Sequence, residues 1–330
     1  MMSGCSAQSG DSKAQKKLSI VATIYPQYDW LKNVLGERAD AVDLKLLIKN
    51  GTDLHSYQPS AQDIAAIASA DMVVYVGGIS DEWIRKALKA TPKAGRVQVD
   101  LMKVLGDRIK EEEIVEGMQA EEEHHHEHGD EHEEHAEEHE HHEHHEHAEA
   151  PENDEHIWLS LKNAEILVKN IADSIAQLDP ANAETYKANT DAYISKIREL
   201  DANFTEALAG ASQKTILFGD RFPFRYLVDD YGIKYYAAFV GCSAESEASF
   251  ETVAFLANKM DSLALPAIFR IEGGNGKIAR AILDASKKSK QAQVLTLNSM
   301  QSVKGDQASS ETGYLSIMQS NLETLKKAFK

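Results

Sequence analysis

The stretch ANAETYKANTDAYISKIRELDANFTEALA, residues 181–209, decides the architecture expected for this chain. Its apolar and aromatic residues recur at helical spacing, which predicts one amphipathic helix. At about 1.5 Å per residue, such a helix spans roughly 40 Å, enough to cross from one lobe to another. The stripe indicates packing rather than chemistry, and its members are Tyr186, Tyr193, Ile197, Leu200, Phe204 and Leu208.

Short β-branched runs lie on both sides of this helix. Four strands are predicted before it, at Ser19–Ile24, Val42–Ile48, Met72–Val76 and Val97–Val99. Four more are predicted after it, at Thr215–Phe218, Lys234–Ala238, Ala267–Ile271 and Val294–Leu297. Helical patterns separate the strands, and strands that alternate with helices imply βαβ units and parallel sheets. The predicted fold class is therefore α/β, with two lobes, each a four-stranded parallel sheet flanked by helices, joined by one long rigid helix.

The remaining helices and the domain limits follow from the same patterns. Further helices are predicted at Gln27–Leu35, Ala61–Ala70, Asp81–Ala90, Leu161–Leu178, Phe224–Tyr231, Phe250–Ser262, Lys277–Lys288 and Tyr314–Phe329. The expected domains are a tether at 1–17, an N-terminal lobe at 18–180, the linker helix at 181–209 and a C-terminal lobe at 210–330. In open α/β sheets ligands bind beyond the carboxyl ends of the strands, so the residues after each strand are the candidates for a site.

The acidity of the chain is concentrated in one segment. The formal net charge is −18, from 53 acidic and 35 basic residues. Residues 111–155 hold 21 of the acidic residues and no Lys or Arg, so the rest of the chain is close to neutral. No basic stripe with interleaved aromatic residues occurs, which argues against a nucleic-acid partner. No apolar run reaches the roughly 18 residues that a membrane span needs.

The start of the chain, Met2-Ser3-Gly4-Cys5, looks like the end of a bacterial lipoprotein signal. In that interpretation lipid on Cys5 tethers the protein to the outside of the bacterial membrane. The alternative is a free cysteine in a polar tail. If Cys5 carries lipid, Cys242 is a lone thiol in an oxidising compartment, which needs an explanation.

Residues 121–147 form a histidine-glutamate tract of 12 His, 12 Glu, one Asp, one Gly and one Ala. Such a composition cannot bury a core, so we expect a disordered loop over about 118–152. Imidazoles interleaved with carboxylates offer many weak, interchangeable sites for transition metals. A plain solvated acidic loop is the alternative, but it has no need for twelve histidines.

High affinity for one metal ion needs a preformed site, which a disordered tract does not supply. His55 and His156 are the only histidines outside the tract. His55 follows the second predicted strand, and His156 opens a helix in the middle of the chain. Each could be an ordinary surface or core residue, yet their places at loop ends favour metal ligands.

At these residues the sequence resembles the zinc/manganese-type (cluster A-I) solute-binding lipoproteins of bacterial ABC transporters, in the zinc-binding subtype with a His-rich loop. The similar segments are Ala22–Tyr28, Gly51–Tyr57 with Pro59, Ala70–Gly78 and His156–Leu159, and the resemblance runs from about Leu18 to Lys330. It implies two lobes on a rigid helix, with His55 and His156 as metal ligands of the N-terminal lobe. It also implies capture of Zn²⁺, with Mn²⁺ as the alternative.

The C-terminal lobe departs from the family pattern. The family places a His or Glu after the first strand of that lobe, where this chain has Gly219. Another ligand of the family, an Asp after the last strand, corresponds to Asn298. The remaining ligands therefore do not carry over from the resemblance.

Chemistry nominates Asp220, Cys242 and Glu272, since each follows a predicted strand and zinc takes about four ligands from His, Cys and carboxylates. A thiolate at Cys242 would explain the lone cysteine and favour zinc over manganese. The alternatives are a helix cap or a pair with Arg221 for Asp220, a buried small hydrophobe for Cys242, and a surface carboxylate for Glu272.

The expected function is an extracytoplasmic receptor that delivers zinc to an ABC importer. We expect a monomer that docks on the importer's permease, with the tract collecting metal at low affinity. A surface adhesin or an extracytoplasmic metal buffer is the alternative. An enzyme is not expected, because the chain has neither a His-Glu-x-x-His helix nor a recognisable nucleophile motif.

Overall fold

The computed structural model describes residues 17–49, 51–119, 152–243, 247–302 and 313–329. Within this part of the chain lie two four-stranded sheets whose neighbouring strands are all parallel. The predicted fold class is confirmed. The tether with Cys5 and the histidine-glutamate tract lie outside the described residues.

The N-terminal lobe is built on a sheet of strand order β2-β1-β3-β4. The two central strands are buried along their whole length, which explains why all their residues but Ser19 are apolar or aromatic. The elements are β1 (Ser19–Ala22), α1 (Tyr25–Leu35), β2 (Asp43–Leu46), α2 (Ala61–Ser69), β3 (Met72–Tyr75), α3 (Glu82–Ala90), β4 (Val97–Asp100), α4 (Leu101–Leu105) and α5 (Leu161–Leu178).

The C-terminal lobe repeats the plan with strand order β6-β5-β7-β8. Strand β5 extends to Phe222, beyond its predicted end at Phe218, and its register shifts between Phe218 and Arg221. The elements are β5 (Thr215–Phe222), α7 (Arg225–Tyr231), β6 (Lys234–Val240), α8 (Phe250–Leu263), β7 (Ala267–Ile271), α9 (Lys277–Ala285), β8 (Gln293–Leu297) and α10 (Tyr314–Ala328).

The long helix α6 (Ala183–Ala209, 27 residues) lies between the lobes. All six residues of the predicted stripe are buried. Towards its start, the Tyr193 hydroxyl donates to Asp29 of α1 at 3.2 Å. Towards its end, the Phe204 ring stacks on Tyr231 of α7 with centroids 4.9 Å apart. One hydrophobic cluster therefore continues from the first sheet through α6 to the second.

A segment that the sequence does not predict crosses from the first lobe to the second. Residues 110–119, which we call the strap, leave the N-terminal lobe after α4 and bond to the C-terminal lobe. At the far end, the Gln119 backbone N–H donates to the Ala238 carbonyl at 2.9 Å, and its side chain accepts from Ser249 N–H at 2.7 Å. At the near end, Asp154 N–H donates to the Lys110 carbonyl at 2.8 Å. The strap begins inside the range predicted for the N-terminal lobe, and those domain limits remain a prediction.

Within the described residues, none of the helices combines the length and apolar character that a bilayer crossing requires.

Candidate metal centre

Three side chains meet between the lobes: His55, His156 and Cys242. Their potential ligand atoms all lie within 4.8 Å of one another, and no other such group of three or more occurs in the described parts of the chain. The two Nε2 atoms are 3.2 Å apart. Two imidazole nitrogens bound to a tetrahedral zinc at about 2.0–2.1 Å would lie roughly 3.3–3.4 Å apart. The spacing of the two histidines therefore suits a single zinc ion.

His55 is held by the loop that follows β2. It lies in a single 3₁₀ turn, Leu54–Ser56, which Asp53 caps by accepting from the His55 N–H at 2.9 Å. The ring Nδ1 is 2.8 Å from the Ser80 hydroxyl, in the loop after β3. This contact leaves Nε2 facing His156, so two strand-end loops fix the orientation of one ligand.

His156 is completely buried. The Asp154 carboxylate accepts from the His156 backbone N–H at 2.8 Å and lies 3.0 Å from the ring Nδ1. A carboxylate on one ring nitrogen fixes the tautomer and raises the basicity of the other nitrogen, which is the arrangement common to metal-bound histidines. His156 therefore presents Nε2 to the centre with its proton on Nδ1.

Cys242 reaches the centre from the turn after β6. Its neighbour Gly241 packs against the His156 ring, because a Cβ added there would lie 3.0 Å from His156 Cε1 and 2.9 Å from the Phe222 carbonyl oxygen. Only a residue without a side chain allows this turn to approach so closely. The close approach brings Cys242, the ligand candidate of the second lobe, to the histidines of the first.

Burial sets the protonation of two of these groups. It lowers the pKa of His55 to about 2, with His156 and Arg221 adding to the effect. His55 is therefore neutral, as a metal ligand must be. Burial raises the pKa of the Cys242 thiol well above its ordinary value, and the nearby carboxylates Glu112, Asp154 and Glu155 raise it further. Cys242 is therefore a neutral thiol that must lose a proton before it can bind a metal as thiolate.

Gln301 also faces the centre, and sequence reasoning missed it. Its side-chain nitrogen is 3.0 Å from His55 Nε2 and also contacts His156 Nε2. The turn after β8 brings it there: Asn298 accepts from Met300 N–H at 2.8 Å, and Met300 adopts a left-handed φ of 61°. Asn298, which corresponds to a ligand Asp of the family, therefore stabilises this turn. No local pattern marks Gln301, because its place depends on an unusual backbone angle one residue earlier.

Asp220 lies outside the three-residue group. Its carboxylate accepts from Arg221 N–H at 3.0 Å and from Ile271 N–H at 3.3 Å, so it bonds to the backbone of β5 and β7. The side chain of Arg221 turns away from it and pairs with Asp53 across the lobes. Gly219 has no room for any ligand, since a Cβ there would lie 2.4 Å from the Ala279 Cα of α9.

Glu272 is also outside the group, and its carboxylate is fully engaged elsewhere. It accepts from Ser299 N–H at 2.7 Å, from the Ser299 hydroxyl at 2.8 Å and from Gln301 N–H at 3.2 Å. Burial raises its pKa, and these hydrogen bonds partly offset the effect. Glu272 thus supports the turn that carries Gln301. The ligand roles proposed for Asp220 and Glu272 remain predictions that this arrangement does not favour.

A polar cleft of about 450 Å³ opens beside the three-residue group. His55 lines it from the first lobe, and Asp220, Arg221, Glu272 and the glycine-rich turn 273–276 line it from the second. The cleft lies at the carboxyl ends of the strands, where open α/β sheets bind their ligands. Of the three grouped residues, His55 lines this cleft.

The chain is similar to proteins named for zinc uptake and zinc binding. A family model described as zinc-uptake complex component A, periplasmic (ZnuA), matches residues 20–328. The zinc-binding lipoprotein AdcA of Streptococcus pneumoniae is 34% identical over 327 residues, which cover 97% of this chain and 58% of that protein. The high-affinity zinc uptake system protein ZnuA of Bacillus subtilis is 31% identical over 318 residues, covering 96% of this chain and 89% of that protein.

The fold has close counterparts among solved structures. The crystal structure of the Zn(II)-bound ZnuA-like domain of Streptococcus pneumoniae AdcA matches with a TM-score of 0.69 and 29% identity, over 95% of this chain and 99% of that one. The present chain thus spans a little over half the length of the whole streptococcal AdcA. The resemblance drawn from the sequence motifs is confirmed, and the chain belongs to the zinc-uptake complex component A (ZnuA) family of solute-binding proteins.

Proposed function

We propose that this protein is an extracytoplasmic receptor that binds one zinc ion between its lobes and delivers it to the permease of an ABC importer. The observation that carries the proposal is the meeting of His55 and His156 from one lobe with Cys242 from the other, with all ligand atoms within 4.8 Å. A ligand set of two imidazoles and a thiolate favours binding of zinc over binding of manganese.

The roles of the three ligands differ. The histidines supply ring nitrogens whose orientation Ser80 and Asp154 fix in advance. Cys242 supplies the negative charge once its proton has left. Gln301 is the candidate for a fourth position, because turning its amide about the last side-chain torsion would exchange nitrogen for oxygen at the same place. Such a set closes a tetrahedral site without an open position for catalysis.

Delivery to a permease and anchoring through lipid on Cys5 extend the proposal to partners and location. They are supported by the family, whose description names a periplasmic component of a zinc-uptake complex. They are also supported by the name zinc-binding lipoprotein given to the streptococcal relative. The histidine-glutamate tract serves in this proposal as a low-affinity collector that raises the local zinc concentration near the cleft.

Calorimetric zinc titration tests the proposal on four proteins: the full chain, His55→Ala, His156→Ala and a chain lacking residues 121–147. We expect one tight site in the full chain, its loss in both histidine variants, and its survival when the tract is deleted. Ser56→Ala serves as the matched control, because Ser56 lies in the same 3₁₀ turn as His55 but is exposed. Tight binding that survives both histidine variants would refute the cleft site, and its loss on deletion of the tract would make the tract the receptor.

A further inference from the structure

The strap is bonded to the C-terminal lobe along its length. Glu113 accepts from the Tyr235 hydroxyl at 3.1 Å, and Glu116 pairs with Lys259 of α8 at 2.8 Å. Gly117 lies against the Phe255 ring so closely that a Cβ there would be 2.0 Å from the ring. A segment that belongs by chain order to the first lobe is thus fixed on the second.

Glu112 is the strap residue nearest the metal centre. Its carboxylate accepts from the Cys242 backbone N–H at 3.0 Å and also interacts with the Cys242 thiol, whose pKa it raises. Its own backbone N–H donates to the Glu152 carbonyl at 2.8 Å, within a short antiparallel pairing that includes Glu111 and Asn153. The backbone of Glu112 is therefore fixed on one side, and its side chain reaches across to the turn that carries Cys242.

The same antiparallel pairing also includes the residue that holds His156. Asp154, which holds the His156 ring, donates its backbone N–H to the Lys110 carbonyl at 2.8 Å. The Tyr226 hydroxyl connects the two strands of the pairing by accepting from Lys110 N–H at 3.0 Å and donating to the Asp154 carbonyl at 2.9 Å. The two paired segments thus carry both supporting residues. Asp154, which holds His156, pairs with Lys110, and Glu112, which holds the Cys242 turn, lies two residues after Lys110.

We propose that Glu112 is a positioning residue of the metal centre, which holds the Cys242 turn at the distance from His156 that zinc requires. The proposal rests on the zinc site proposed above. Glu112 acts through a hydrogen bond to the backbone of a ligand residue, as outer partners of metal ligands do. In this role Glu112 supplies an acceptor oxygen to the backbone N–H, whereas its negative charge raises the pKa of the Cys242 thiol and so does not favour the zinc-bound thiolate.

Two variants separate this role from others. Glu112→Ala removes the acceptor, whereas Glu112→Gln keeps an oxygen at the same position and removes the charge. Glu116→Ala is the matched control, because it removes an exposed carboxylate of the same strap that pairs with Lys259. Each protein is measured as the full chain, by zinc competition with a chelator and by the thiolate-to-cobalt charge-transfer absorption of the cobalt-loaded form.

We expect Glu112→Ala to weaken zinc binding by about 10–100-fold, the usual effect of losing an outer partner, and to diminish the charge-transfer band. Glu112→Gln should restore both to near the values of the unmodified chain, and Glu116→Ala should leave both unchanged. If Glu112→Ala binds zinc normally with a full band, the positioning role is wrong. If Glu112→Gln is as damaging as Glu112→Ala, Glu112 acts through its charge or as a ligand, which also overturns the proposal.

The unmodified chain and Cys242→Ala distinguish this failure from failure of the zinc site itself. A full charge-transfer band in the unmodified chain, lost in Cys242→Ala, establishes the thiolate ligand independently of Glu112. If the unmodified chain lacks the band, the ligand set of the proposed function fails, and the role of Glu112 fails with it.

Discussion

The two halves of the metal centre are built in different ways. The half from the N-terminal lobe consists of two histidines whose rings are oriented by side chains of their own lobe, Ser80 and Asp154. The half from the C-terminal lobe consists of Cys242 and Gln301, which are brought to the centre by tight turns and supported by Glu112 and Glu272. The first half depends on side-chain orientation, and the second depends on backbone position.

This difference indicates that the two halves contribute to metal binding in different ways. The oriented histidines, of which His55 is neutral, can receive an ion without losing a proton there. The C-terminal half must lose the thiol proton of Cys242, so it contributes affinity only as the ion arrives. In the proposed zinc site, we therefore expect the first half to set where the ion binds, and the second half to set the metal selectivity and the pH dependence of binding.

We expect the largest changes in zinc affinity when the ligand candidates of one half are removed, and we expect the two halves to differ in how much affinity is lost. We expect His55→Ala combined with His156→Ala to abolish stoichiometric zinc binding, a loss beyond the roughly 10–100-fold that an outer partner accounts for. Cys242→Ala should leave weaker binding at the histidine pair and reduce the preference for zinc over manganese. Chelator competition with both metals measures this. Equal losses in the two variants, with selectivity unchanged in Cys242→Ala, would contradict this difference between the halves.

We expect a smaller difference between the halves in the pH dependence of zinc affinity. Because the pKa of Cys242 lies above its ordinary value in the metal-free protein, the thiol is protonated at neutral pH and each bound zinc ion releases that proton. Zinc affinity should therefore rise by about tenfold per pH unit more in the unmodified chain than in Cys242→Ala. Titrations at several pH values, in buffers of different ionisation enthalpy, measure both the slope and the released proton. Identical slopes in the two proteins would exclude thiolate binding.

The smallest effect should come from the contact between the halves. Gly241→Ala places a Cβ 3.0 Å from the His156 ring and 2.9 Å from the Phe222 carbonyl oxygen. Overpacking of this kind costs about 1–3 kcal/mol, so we expect a lower free energy of unfolding with zinc affinity reduced by about tenfold or less. Gly210→Ala is the control, because a Cβ there meets no atom within 4 Å. Denaturant unfolding and zinc titration of both variants provide the test. Equal free energies of unfolding would show that the turn moves to accommodate the added Cβ, and would contradict the prediction.

Much of the fold could be predicted because its patterns are local. The buried central strands are almost entirely apolar, and the stripe of α6 repeats at helical spacing within a helix of 27 residues. The five-residue helix Leu101–Leu105 was not predicted, since it is too short to show a period. The strap was not predicted either, because its glutamates are bonded to residues more than a hundred positions away.

The candidate site divides in the same manner. His55 and His156 were found because isolated histidines at strand and helix ends are conspicuous, and family motifs surround them. Cys242 was one of three open candidates, and the structure places it, but not Asp220 or Glu272, with the histidines. Gln301 could not be found, since its position depends on the left-handed backbone of Met300 and on a buried carboxylate in another loop.

The hydrophobic cluster that runs from the first sheet through α6 to the second has a thermodynamic consequence. Because this cluster joins the lobes, while a second cluster lies within the C-terminal lobe alone, we expect the unfolding of the two lobes to be coupled. An ion bound between them then stabilises the whole chain against unfolding, by about 2.7 kcal/mol at a hundredfold excess over Kd. On the proposed function, we therefore expect the melting temperature of the protein to rise with the fraction of the protein that carries zinc.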